Sequence, residues 1–340
     1  MAMAEKTIAE RYRTLDSLRQ STIERARDCA RLTVPSLLPP QGWTEEMALY
    51  VPFSSVSSRG VTSMASRVLS ALLPLNDAPF FRFELKTGIR PTQDITAYLD
   101  TIAYQVYNKL SSKNLRETLY TVLQHLIVTG DCLLIQEDNL SFRVLRMDQY
   151  VVRRSVDGDV QEIIHLEYVS KDNSEDANDY YTTSVDDRSR KGYETIYCRI
   201  TKEEGDTVWK VVKEDSEGSV VSTGEYEISP YIPLRWSAVA GENYGRSHCE
   251  DLLGDIQSLE AYTRAGMEGM AAGSAFWIGI DPAGITEIDD VALAQNGSFV
   301  AARAQDVFTI TPSKEMSPQI SASQTSIEMM RKEIGRAFLL

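Results

Sequence analysis

His248 and Cys249 are adjacent, and that adjacency is the first place to look for a nucleophile with its base. Neighbouring residues on a helix point about 100° apart, so the two cannot readily form a hydrogen-bonded dyad. The three histidines, His125, His165 and His248, stand far apart in the chain, and none has a histidine or cysteine partner at zinc-ligand spacing. The cysteines Cys29, Cys132, Cys198 and Cys249 are scattered and read as reduced, semi-buried thiols of an intracellular protein. Carboxylate pairs such as Asp289 and Asp290 are isolated, whereas a metal-dependent nuclease needs them clustered. There is no G-x-x-x-x-G-K-[ST] loop and no dinucleotide-binding glycine pattern. The residues therefore point to no catalytic group, no metal and no cofactor. A basic run, Arg188, Arg190 and Lys191, could touch a phosphate or simply flank a loop.

With little chemistry to position, the elements themselves become informative. Residues 247–273 read as one long helix, about 40 Å at ~1.5 Å per residue. Ser247 and Glu250 form a capping-box signature at its start. Apolar residues recur at Cys249, Leu252, Leu253, Ile256, Leu259, Met267 and Met270, with Thr263 in step. Ala261, Ala265, Gly269 and Gly273 form a second row, spaced by four and almost without side chain. Each glycine costs the helix about 1 kcal/mol relative to alanine, and close approach of another helix is the usual compensation. Three readings share this pattern: a core helix, a membrane helix, and a helix packed against copies of itself. Arg264 and Glu268 weigh against the membrane, because the apolar run beyond them is too short to span a bilayer.

Upstream, residues 7–32 read as one amphipathic helix stopped by Pro35, with a proline-punctuated linker after it. Helices are expected over 54–73 and 94–110, and over 114–130 with an Asn114–Glu117 cap; residues 80–85, FFRFEL, are expected as a short strand. From 131 to about 240 the period shortens toward two. Glu137-Asp138-Asn139, Asp157-Gly158, Gly205-Asp206 and Glu217-Gly218 read as hairpin turns. Residues 171–179 are expected as an exposed acidic loop. A small α/β segment at 277–316, with turns at Asn296-Gly297 and Pro312, precedes a last helix opened by Ser317 and Pro318. That helix carries Ile320, Ile327, Met330 and Ile334 in three-four steps and ends in an uncapped apolar run. The fold class is α+β, with a small tip hung between two long helices.

The chain has 340 residues, enough for two or so domains, and a formal net charge of -14 with pI ≈ 4.8. A protein that grips nucleic acid through phosphates carries a basic surface. This one suits a partner that must slide past without sticking.

Several strings, in order, resemble one family. They are CARLTVPSLLPP, SSRGVTSMASRVLSALLP, LIVTGDCLLI, YIPLRW, YGRSHCEDLLGDIQSLE and DPAGIT. Together they look like the portal protein, or head-to-tail connector, of T7-like short-tailed bacteriophages. The resemblance implies a homo-oligomeric ring, typically a dodecamer, at one capsid vertex in the virion, assembled in the host cytoplasm. Its partners would be capsid and scaffolding proteins, the terminase packaging motor, the tail adaptor and double-stranded DNA, with no membrane. It implies a wing over 1–240 (helices over 5–130, β-rich over 131–240), a stem helix over 244–276, a clip over 277–316 and a second stem helix over 317–340. On this reading the chain breaks off before the family's channel loop and crown. Ala261, Ala265, Gly269, Gly273, Ile327, Met330 and Ile334 would make the stem contacts between subunits. Arg303, Lys314, Arg331, Lys332 and Arg336 would approach the DNA, weakly and without sequence preference. A nucleic-acid-cutting enzyme and a non-viral helical scaffold are the alternatives.

Overall fold

The α+β class comes directly from two kinds of sequence period, each folded into its own set of elements. A computed structural model describes residues 7–340 except 45, 75–78, 86–91, 171–192, 203–207, 275, 276, 285, 294–298, 300, 301, 304, 311 and 312. The acidic loop at 171–179, the basic run at 188–191, the turns at Gly205-Asp206 and Asn296-Gly297, and Pro312 lie outside the described residues. The chain forms two compact units, residues 1–254 with 335–340, and residues 255–334.

The first unit opens with α1 (Ile8–Leu18) and α2 (Gln20–Leu32) rather than one helix. The break is at Arg19. Its guanidinium is 2% exposed and donates to the carbonyls of Met147, Asp148 and Tyr150 while pairing with Asp16 at 2.7 Å. A buried guanidinium must find acceptors for its five donors. The acceptors lie off the helix, and Arg19 gives up regular helical geometry there, its N–H turning to the Asp16 carbonyl. Next come α3 (Val56–Leu72), α4 (Gln93–Ser111) and α5 (Leu115–Thr129). The expected strand at 80–85 is not formed: these residues join no ladder among the described residues, and Phe81 packs edge-on against Phe80 and against Phe83. Asn114 does not cap α5 as expected. It sits in the left-handed region (φ 57°), and its side chain makes no capping bond, since capping by the side chain goes with an extended backbone.

Two antiparallel sheets follow. In the first, β1 (Asp131–Gln136) lies between β2 (Phe142–Leu145) and β8 (Tyr231–Arg235), and Pro233 falls on the edge strand, where a missing N–H is tolerated. α5 lays Val122 and Leu126 on Cys132 and Leu134 of this sheet. The second is a meander of β3 (Tyr150–Arg154), β4 (Val160–Ser170), β5 (Tyr193–Thr201), β6 (Trp209–Glu214) and β7 (Val220–Tyr226). The turns at Asp157-Gly158 and Glu217-Gly218 are longer than two residues: Ser155 N–H bonds the Asp159 carbonyl and Asp215 N–H the Ser219 carbonyl. α1 buries Ile8, Tyr12 and Leu15 against Val151, Ile164, Leu166 and Tyr168 of the meander.

The expected long helix over 247–273 is interrupted. A short α6 (His248–Asp251) ends at Leu252, whose N–H turns back to the Cys249 carbonyl, and α7 (Leu253–Ser274) continues. In the second unit, α7 is followed by β9 (Trp277–Ile280), α8 (Ile288–Ala292), β10 (Val307–Ile310) and α9 (Ser313–Ala337); β9 and β10 pair antiparallel. α9 starts four residues before the expected Ser317 N-cap, so Pro318 lies inside it. No helix among the described residues is long and apolar enough to cross a membrane.

Candidate functional site

Within the second unit, the small-residue helix and the last helix face each other. α7 turns Ile256, Leu259 and Thr263 inward, and α9 turns Ile327 inward. The glycine that permits the close approach is Gly266: a Cβ there would stand 3.3 Å from Ile327 Cδ1. Gly269 is different, since a Cβ there would meet nothing within 4 Å. A groove of about 490 Å³ runs beside this contact, lined by Tyr262, Thr263, Ala265, Gly269, Met270 and Ile327 among others. Gln324 Nε2 donates to the Met270 sulfur across it at 3.4 Å.

The expected stem residues divide accordingly. Ala261 and Ala265 are exposed, Gly269 is partly so, Ile327 and Ile334 are buried, and Met330 is half-buried. Gly273 and Lys314 lie in α7 and α9, their surroundings outside the described residues. Of the expected DNA-facing cations, Arg331 lines the groove, and Lys332 and Arg336 are exposed along α9. Arg303 is exposed on the small segment, its N–H donating to the Thr286 hydroxyl at 3.1 Å, and that hydroxyl donates to buried Asp306. Thr263 stood in the inward stripe read from the sequence, whereas Gly266 was not singled out by its spacing. The signal for Gly266 was a third glycine, three residues before Gly269, outside the four-residue row.

In the first unit, the end of α9 is anchored and capped, contrary to the expected uncapped run. Leu340 N–H bonds the Gly335 carbonyl at 2.8 Å and Leu339 N–H the Arg336 carbonyl, a Schellman pattern with Leu339 at φ 59° where glycine is usual. Left-handed geometry costs a leucine about 1–2 kcal/mol. Two contacts offset that cost. Phe338 is 0% exposed over Gly60 of α3, and His248 places Nε2 3.1 Å from the Ala337 carbonyl with its ring edge-on to Phe338 at 5.2 Å. Leu339 itself is 46% exposed.

That placement also settles the His248–Cys249 adjacency. His248 is used at the helix end, while Cys249 is buried, its thiol pushed up by burial. Burial likewise pushes Cys29 and Cys198 up to about 12. These thiols are poor nucleophiles. His165 and His125 are buried and lowered to about 4 by burial, His165 also by Lys213 and Arg143. Among the described residues, no group of three or more His, Cys, Asp or Glu could hold a metal.

Other buried charges act as ties. Asp131 accepts the Tyr150 hydroxyl and the Gly245 N–H, each at 2.6 Å, and burial raises it to about 6. Its neighbour Gly130 crosses Gly245 so closely that a Cβ on Gly245 would meet the Gly130 carbonyl at 2.6 Å. Burial pushes Glu162 up, but hydrogen bonds and charges from Arg11 and Arg199 outweigh it and hold the carboxyl low. None of these ties was legible as a local motif.

A family model described as "Bacteriophage head to tail connecting protein" matches residues 5–340. The chain is 30% identical to the portal protein of Enterobacteria phage T3 over 96% of its own length and 65% of the relative's. It is 28% identical to that of Escherichia phage T7 over 99% and 66%, and 26% identical to that of Enterobacteria phage SP6 over 95% and 64%. The chain thus spans just under two thirds of the length of these relatives.

Proposed function

The chain belongs to the family of bacteriophage head-to-tail connecting proteins, and on that premise we propose that it forms the structural ring at the unique capsid vertex. DNA passes through this ring during packaging and ejection. The packaging motor docks on it first and the tail adaptor later, and capsid and scaffolding proteins surround it. The observation that carries the reading is the family match along residues 5–340. Two features support it. The long helices α7 and α9 flank the small β9–α8–β10 segment, as a stem flanks a clip. The net charge of -14 keeps counterion-release binding low, so DNA slides with little friction.

On this reading residues 1–240 form the wing, 244–276 and 317–340 the stem, and 277–316 the clip. The ring is a dodecamer, assembled in the host cytoplasm and carried in the virion. It is not an enzyme, and a separate motor drives the DNA. Particle images test the reading: closed rings with a central hole are expected, and monomers would overturn it. Incubation with plasmid and Mg²⁺ tests the nuclease alternative, where nicking by the purified chain would replace the conduit.

A further inference from the structure

We propose that the outer edge of β7 takes an extended, basic segment of another protein as an added strand of the meander. This goes beyond the ring reading and does not depend on it.

The meander has two edges, β3 and β7, and they are finished differently. The edge of β3 is sealed from within the chain. Val152 N–H donates to the Tyr244 hydroxyl at 3.1 Å and Arg154 N–H to Asn243 Oδ1 at 2.8 Å, and the Tyr150 carbonyl accepts from Arg19. Along β7, the backbone bonds β6 alone among the described residues. An antiparallel strand bonds its neighbour through alternate residues, so the other N–H and C=O groups of β7 point outward. Its faces are bare as well. Val220 and Val221 are 59% and 54% exposed, and Tyr226 and Ile228 are exposed too. Val221 is the extra residue of a bulge, so the regular stretch open to a new strand is Ser222–Tyr226. A free edge with apolar side chains is what an extended peptide needs to add a strand.

Charge selects the occupant. Glu225 lies on β7, Glu227 follows it, and Glu217 sits in the turn before it. All three are exposed, and none is in an ion pair among the described residues. Of the cations on β6, Lys210 stands across the ladder from Glu225, and Lys213 is tied to buried Glu167 at 2.8 Å. Opposite charges on facing strands stabilise a pair and like charges destabilise it. Alternation puts Glu225 on one face with Thr223, and Tyr226 on the other with Ser222 and Gly224. Cations at alternate positions of the partner meet Glu225, and β-branched residues between them cover Tyr226 and the bare Gly224.

Neither meander edge of a second copy fits. β7 against β7 brings two acidic strands onto one seam. β3 has suitable charge in Arg153 and Arg154, but its outward N–H groups already bond Tyr244 and Asn243. The occupant is therefore a segment of another protein.

The test uses the whole chain and a soluble peptide of alternating lysine and valine, with a glutamate–valine peptide as control. Fluorescence anisotropy should show binding of the lysine peptide alone. Hydrogen exchange should slow at Val220–Tyr226 and stay unchanged in β3. A chain of net charge -14 attracts any cationic peptide, so the deciding comparison is the lysine peptide methylated on its backbone nitrogens. It keeps the charge but cannot donate to a ladder, and it should bind about tenfold or more weakly. Glu225→Lys with Glu227→Lys should weaken the unmethylated peptide by about tenfold or more while circular dichroism stays unchanged. Equal binding of the methylated peptide, or unchanged exchange in β7, would overturn the proposal. So would exchange at β7 that slows with protein concentration alone, because the occupant would then be a second copy.

Discussion

Phe338 lies so close over Gly60 that a Cβ built on the glycine would stand 2.6 Å from the ring's Cγ. The two residues are at opposite ends of the sequence, yet each sets what the other may be. Without a side chain at position 60, the last turn of α9 can bury its aromatic ring against α3, and that burial supports the left-handed Leu339 that stops the helix.

Gly60→Ala should therefore destabilise the chain by about 1–3 kcal/mol through overpacking, although alanine is the better helix former. Phe338→Ala should cost about 3–5 kcal/mol as a large-to-small change in a buried site. In the Phe338→Ala background, Gly60→Ala should turn neutral or stabilising by up to about 1 kcal/mol, the helix-propensity gain alone. Urea denaturation of the four species closes the cycle. Additive costs would show that the contact is not the reason for the glycine.

Acid should weaken the fold beginning near pH 6.5. His165 and His125 titrate near 4 in the folded chain, against an ordinary 6.5, because burial penalises their charged forms. Between those values the unfolded chain binds protons that the folded chain refuses, so stability falls as pH falls, by up to about 3 kcal/mol for each histidine. Asp131 works in the opposite sense. Raised from 3.8 to about 6 by burial, it is protonated first in the folded state and regains part of the loss as pH falls from 6 to 4. Melting temperature against pH should decline from 6.5 to 4. His165→Phe should flatten that decline, and an unchanged slope would count against the buried, neutral histidine.

Gly269→Leu should leave the single chain folded and damage assembly. No atom stands within 4 Å of a Cβ at that position, so nothing in the chain is overpacked. In the proposed ring a second copy fills the groove beside it, and overpacking would then cost about 1–3 kcal/mol at every boundary. Light scattering should show loss of the oligomer while circular dichroism stays unchanged. An intact oligomer at low micromolar concentration would place the contact elsewhere.

DNA binding should be weak and steeply salt-dependent. Arg303, Arg331, Lys332 and Arg336 are exposed, but they belong to a chain of net charge -14. Gel shifts at physiological salt should give dissociation constants no tighter than the ~10⁻⁴–10⁻⁶ M typical of non-specific binders. A value below ~10⁻⁷ M would contradict sliding.

Read by itself, the sequence determined what depends on neighbours along the chain. Gly130 ends α5 in the left-handed region at φ 84°. The Ser247 hydroxyl accepts the Glu250 N–H at 2.9 Å. The alternating runs around Asp157-Gly158 and Glu217-Gly218 pair as hairpins, and the six-string resemblance led to the family. Tertiary structure alone decided what depends on residues far apart. Arg19 breaks the first helix because its acceptors are carbonyls at 147–150. FFRFEL has strand propensity but joins no ladder among the described residues. Gly266, rather than the more regular row of Ala261, Ala265 and Gly269, meets the partner helix within the chain. Helix period shows which residues share a face, but not which face a distant helix will cover; that is fixed only when the two surfaces pack. The same holds for Gly60 and Phe338, whose fit leaves no period in the sequence because a glycine's purpose lies in the atoms that come to rest against it.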